Sequence, residues 1–220
     1  MYIFKVERRY DLKEKSKYIF GRINAVPSSL KKTSKMSNKM SIKTQAKKPI
    51  ILPPFAAACA VIERFLPAVK IGWKGHAIHQ GAAIACLADT LMNAMQTVSG
   101  VTSVNVNKFN VSSGVLDSFN EESWSRASAN TITVVWDPDE HLPNAKATDI
   151  IHICACNKAM DVVQIFLNAA VRSDARATIT LKHELAGIKG VYCLAFTQSI
   201  TFTKKNNLVG HTQRSGALQV

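Results

Sequence analysis

The apolar period of this chain changes once, at Gly100, and that change limits its fold more than any other feature. Before it, large apolar residues recur at helical spacing; after it, they alternate in twos among Ser, Thr and Asn. In FAAACAVIERFLPAVK, Phe55, Cys59, Ile62, Phe65 and Leu66 fall on one helical face, with Pro54 suited to a first turn and Gly72 to a stop. Pro67 is expected to end or kink this helix near its C-terminal end. A second helix is predicted from about His76 to Val98, closed by Gly100, with Ile78, Ala82, Ala85, Leu87, Leu91, Met95 and Val98 mostly inward. Its alanines permit close approach to the first helix, so residues 51–100 read as a helical hairpin.

Beyond Gly100, Val101, Val104, Val106, Phe109 and Val111 follow the two-residue period. Further strands are expected at Thr131–Trp136, Ile150–Cys156, Val162–Asn168, Ala177–Lys182, Gly190–Thr197 and Ser199–Thr203. Short strands at this spacing predict a β-sandwich of roughly seven strands over residues 101–220, and an α+β class for the whole. DIIHICACN is apolar on both faces and so reads as a central strand.

Charge divides the chain differently. The net charge of +13 is concentrated at one end: residues 1–50 hold 14 Lys/Arg against 3 Asp/Glu, and residues 51–220 hold 14 against 12. Residues 21–49 are rich in Lys, Ser, Thr and Asn and nearly empty of large apolar groups, too few to offset the entropy of ordering. Such an arm is either a solvated tail or a contact for a polyanion or a neighbouring subunit. Arg22, Lys31, Lys32, Lys35, Lys39, Lys43, Lys47 and Lys48 are its candidate contacts. The arm has almost no aromatic residues between Gly21 and Pro54. Any nucleic-acid contact would therefore be directed at phosphates, weakened by salt and indifferent to base sequence.

The chemistry-bearing residues lack their necessary partners. His152, Cys154 and Cys156 line one face of a strand, but zinc needs about four ligands, and no second CxxC or HxxxH completes the set. Small polarisable residues in a buried strand are the simpler reading. His76 and His79 stand one helical turn apart without a nearby carboxylate or cysteine. Asp137, Asp139, Glu140 and His141 fall in a proline-bounded turn and read as solvated. There is no nucleophile elbow and no phosphate-cradling glycine loop. Five cysteines, Cys59, Cys86, Cys154, Cys156 and Cys193, lie among apolar residues, as small core hydrophobes do, which argues against a disulfide framework. MYIFKVERRY carries charges where a signal peptide needs its apolar core. The longest apolar stretch, Ile50 to Ile62, is too short to span a bilayer and contains Pro53 and Pro54. No enzyme, cofactor, metal, membrane or small-molecule substrate is expected. Synthesis in the cytoplasm follows, with assembly in a particle or export by a non-classical route left open.

Across residues 22–210 the order of segments resembles an uncharacterised family of Bacteroidota proteins. The basic pieces KKTSK and TQAKK precede ERFLPAVKIGWKGHA, and ACLADTLMNAM and FNVSSGVLD follow. TITVVWDPDEHLPNAKATDIIHICACN, VRSDARATITL, GVYCLAFTQS and SITFTKKNNLVG complete the match. Met1 to Phe20 departs from the glycine-rich opening usual there. The resemblance implies a helical segment followed by an immunoglobulin-like sandwich, and brings no catalytic residue with it. The leading expectation is a self-assembling homo-oligomeric subunit of a filament, capsid-like particle or surface layer. The alternative is a sequence-independent nucleic-acid-binding protein.

Overall fold

Two core clusters meet on opposite faces of a single strand, because that strand, IIHICAC, is buried along nearly its whole length on both sides. The computed structural model describes residues 53–76, 80–138, 143–200 and 209–219, all within one compact unit, Lys48–Val220. In chain order its elements are α1 (Pro54–Gly72), α2 (Ala82–Asp89), β1 (Met95–Val98), β2 (Val101–Val104), β3 (Asn120–Ser128), β4 (Thr131–Asp137), β5 (Ile150–Cys156), β6 (Val163–Val171), β7 (Arg176–Thr180), α3 (His183–Ala186), β8 (Val191–Gln198) and β9 (Gln213–Leu218).

The strands form a two-stranded ribbon β1-β2, a three-stranded sheet β3-β4-β7 and a four-stranded sheet β6-β5-β8-β9, all antiparallel. Odd-numbered residues of the four-stranded sheet, Ile151, Ile153, Ala155, Val191, Cys193 and Ala195, share a core with Ile132, Val134 and Trp136 of β4 and Ala177 and Ile179 of β7. Even-numbered residues, Cys154, Cys156, Leu194 and Phe196, share the other core with α1. The result is three layers: helices, four-stranded sheet, three-stranded sheet. The α+β class with a sandwich-like strand region is therefore as the apolar periods require.

Several expectations need correction. The inward stripe of α1 is Ala58, Val61, Ile62, Phe65, Ala68, Val69 and Gly72, while Phe55 is 53% exposed. Small residues win those positions because the helix lies close to its neighbours: a Cβ on Gly72 would stand 2.4 Å from the Val111 carbonyl oxygen. Pro67 does not end the helix, which runs on to Gly72; it sits on the exposed face, while Ala68 and Val69 are buried beside it.

The second helix is shorter than expected. α2 ends at Asp89, a turn of π-helix covers Thr90–Ala94, and Met95–Val98 is a strand. Buried Thr90 donates from Oγ1 to the Cys86 carbonyl four residues back (2.7 Å), a bond that loosens the helical ladder where α2 gives way. Ser99 (φ 51°) and Gly100 (φ 78°) then make a two-residue turn between Val98 and Val101, the positive-φ pair that suits the twist of a hairpin. Cross-strand pairs Gln96–Ser103 and Thr97–Thr102 are joined through their side chains.

β5 occupies Ile150–Cys156 as expected, and β4, β6, β7 and β8 fall within a few residues of their predicted positions. β3 and β9 were not anticipated. Most of the strand expected at Ser199–Thr203 lies outside the described residues.

Candidate functional site

His152, Cys154 and Cys156 do line one face of β5, and the structure shows what that face does. The His152 ring is 1% exposed, tilted against Phe196 at 4.8 Å between centroids. Its Nδ1 accepts the Asn168 backbone N–H (3.1 Å), so its Nε2 carries the proton and donates to Gln198 Oε1 (2.8 Å). Burial holds its pKa below 6.5, with the Gln198 bond partly opposing that. Both ring nitrogens are thus engaged, and the imidazole is a neutral member of the core. Cys154 and Cys156 are fully buried in the helix-facing cluster, where desolvation raises both thiols far above their ordinary value. Among the described residues no group of three His, Cys, Asp or Glu could hold a metal ion. All five cysteines are free.

The polar side chains that sequence reasoning passed over are three arginines, each spent on backbone carbonyls. Arg172 is 0% exposed and bonds the Ser118 and Asp117 carbonyls. Its Nε lies 3.5 Å from Asp149 Oδ2, and its own carbonyl accepts from Trp136 Nε1 (2.8 Å). Burial raises the Asp149 carboxyl above its usual range, against the pull of the Lys146 backbone N–H and of Arg172. Arg126 points inward from β3 and donates to the Ala129, Ala186 and Ile188 carbonyls (2.6, 2.9 and 2.7 Å). Arg214 bonds the Phe109 carbonyl and Asn110 Oδ1, tying β9 to the segment after the ribbon. Ser112 and Thr212 join the same two segments through three hydrogen bonds. The one sequence signal for Arg126 was its parity with Trp124 in a strand that is otherwise polar.

The remaining predicted sites do not come together. His76 is exposed, its ring 5.6 Å from that of Trp73, and His79 lies outside the described residues. Asp137 is exposed at the end of β4, while Asp139, Glu140 and His141 lie outside the described residues. So do all eight arm residues, Arg22, Lys31, Lys32, Lys35, Lys39, Lys43, Lys47 and Lys48. A shallow groove of about 320 Å³ runs beside β6 and α3, lined by Asp161, Val163, Gln164, Lys182 and Glu184. Its charges are mixed, and Gln164 Oε1 is already bound to the Lys182 backbone N–H (3.0 Å).

The exposed apolar residues have a more definite place. Val98 (61%) and Val101 (42%) flank the ribbon turn, and Met92 (76%) lies in the π-turn just before it. From Thr90 to Asn107 the chain has no charged residue. Edge strands are usually blunted by charge or proline, and this ribbon has neither. No described helix is long and apolar enough to cross a membrane.

No curated protein matches the chain. Among solved structures, a chain described as "Myokine structure" is similar at 12% identity, covering 48% of this chain and 100% of that one with a TM-score of 0.30, too low to carry an argument. Residues 53–207, most of the chain, match DUF6266, a family of unknown function, and the chain belongs to that family.

Proposed function

We propose that this chain is a non-catalytic structural protein, a self-assembling subunit of a filament, capsid-like particle or surface layer, whose basic arm contacts neighbouring subunits or packaged polyanion. The observation that carries this reading is the segregation of charge: 14 Lys/Arg against 3 Asp/Glu in residues 1–50, beside 14 against 12 in the rest. The reading is supported by the commitment of His152, Arg126, Arg172 and Arg214 to hydrogen bonds within the fold. The uncharged ribbon with its exposed valines is a surface of the kind that copies of a chain bury together.

The strand order supports an immunoglobulin-like identity for the sandwich. With β3-β4-β7 taken as A-B-E and β6-β5-β8-β9 as C′-C-F-G, the strands divide between the sheets as they do in such domains.

Light scattering on a sizing column and electron microscopy at physiological salt test the assembly reading, on the full chain and on a form lacking residues 22–49. Oligomers or ordered particles are expected from the full chain. Monomers from both forms would overturn it. A second reading, sequence-independent nucleic-acid binding, is favoured by the lysine-rich arm without stacking aromatics. It predicts binding that weakens steeply with salt and vanishes on deleting residues 22–49; binding that survives the deletion would sink it.

A further inference from the structure

The register between β5 and β6 breaks at one place. Ile151 pairs with Ala170 and Ile153 with Phe166, so three residues of β6, Leu167, Asn168 and Ala169, stand opposite the single residue His152. Asn168 is in the left-handed region (φ 55°) and has no partner residue in the register with β5. Its backbone N–H donates instead to Nδ1 of His152, at 3.1 Å. A side chain thus bonds a backbone N–H that the register leaves unpaired, and it does so on an edge strand, since among the described residues β6 pairs only with β5. The exposed Leu167 (41%) sits on the same bulge.

That hydrogen bond exists in only one protonation state. Nδ1 can accept the Asn168 N–H while it is bare; a proton there turns acceptor into donor and sets two N–H groups against each other. We propose that His152 is a proton-operated pin on the β6 edge: bare Nδ1 holds the bulge closed, and protonation of Nδ1 releases it. The inference is independent of the assembly reading above.

The surroundings decide whether a buried imidazolium could be tolerated without opening. Facing the ring are Asn168 from β6 and Gln198 and Phe196 from β8, and Cys154 lies two residues on along β5. None of these is a carboxylate. Among these neighbours the cation would find no counterion, so relief comes by exposing the ring to water. The open state titrates near the ordinary 6.5, whereas burial lowers the closed state's value. A group whose folded pKa is depressed contributes stability that is full above its unfolded pKa and is lost as pH falls toward the folded one. Opening is therefore nearly insensitive to pH well above 6.5, and below that it grows, approaching tenfold per pH unit until the closed-state value is reached.

Hydrogen–deuterium exchange followed by NMR on the full chain at pH 7.5, 6.5 and 5.5 tests this, with each rate referred to the intrinsic rate at that pH. The Asn168 amide should be less protected than Ile132 and Val134 of β4 at each pH, and should lose up to about fivefold of its protection between pH 6.5 and 5.5. In His152→Gln, which keeps an acceptor that cannot titrate, protection at Asn168 should be flat across the range. Nitrogen spectra of the wild-type imidazole at pH 7.5 should place its proton on Nε2. Flat protection in the wild type, an Asn168 amide as protected as Ile132 and Val134 throughout, a slope that persists in His152→Gln, or a proton on Nδ1 would each overturn the proposal. Should His152→Gln fail to fold, the wild-type profile and the ring tautomer decide.

Discussion

Phe65 tests whether the helical layer and the sandwich are one cooperative body. It is 0% exposed, its ring lies 5.1 Å from that of Phe109, and it belongs to the cluster that joins α1 to Cys154, Cys156, Leu194 and Phe196 of the four-stranded sheet. Phe65→Ala removes a phenyl group from a site whose walls come from two layers and so cannot collapse freely. A loss of about 3–5 kcal/mol is expected. For a unit of this size each kcal/mol moves Tm by about 2–4 °C, which gives a drop of roughly 6–20 °C. Two tryptophans report the layers separately: Trp73 belongs to the helix-facing cluster and Trp136 to the core between the sheets. In single-tryptophan proteins, thermal unfolding read by fluorescence should show both transitions shifting together, coincident with far-UV circular dichroism. If Phe65→Ala lowered the Trp73 transition and left that of Trp136 in place, the shared-core argument would be wrong.

Gly72→Ala should cost about 1–3 kcal/mol in urea unfolding, because the new methyl meets the Val111 carbonyl oxygen at 2.4 Å and Ser112 Cβ at 2.6 Å; Gly187→Ala, with nothing within 4 Å, is the neutral control. Arg126→Met should cost about 2–3 kcal/mol by the same assay, since it strips a charged donor from the Ala129, Ala186 and Ile188 carbonyls near α3. A loss under about half a kcal/mol would mean that water replaces the guanidinium. Thiol labelling at pH 8 with peptide mapping should modify Cys59 first. Cys86 and Cys193, whose thiols burial pushes up to about 12, and the buried Cys154 and Cys156 should react only as denaturant unfolds the chain. Early labelling of Cys193 would show that the core between the sheets opens locally.

The sequence revealed each element to the extent that its burial was regular. β5 was legible to the residue because both faces are apolar, and β4 because its apolar Ile132, Val134 and Trp136 are buried at a two-residue period, with exposed Val135 and Asp137 between and after them and Thr133 buried as well. β3, with the sequence NEESWSRAS, was not. One of its inward positions is an arginine whose burial depends on the Ala129 carbonyl and on carbonyls of α3 and the turn after it, and the latter lie some sixty residues away. β1 was misread because its apolar residues continue the helical period of α2. The turn that reverses the chain uses Ser99 with positive φ beside Gly100, a pair less diagnostic than Asn-Gly. The candidate site fared similarly. Shared parity placed His152, Cys154 and Cys156 on one face, but the bulge that engages Nδ1 comes from the register of β6, which no local pattern encodes.

The layering itself could be reasoned from two strands. A strand that alternates, as β4 does, needs one covering layer; a strand apolar on both faces, as β5 is, needs two. One cover for β5 is the sheet containing β4. The other must come from elsewhere in the chain, and the helical run from Pro54 is the stretch whose apolar stripe is long enough to supply it. α1 fills that place with Ala58, Ala68 and Gly72 at its contact positions, which bring the backbone near, and with Phe65 to fill the gap that they leave. The hairpin is thus the missing third layer of the sandwich, and the two-sided burial of β5, including the engaged ring of His152, is its direct consequence.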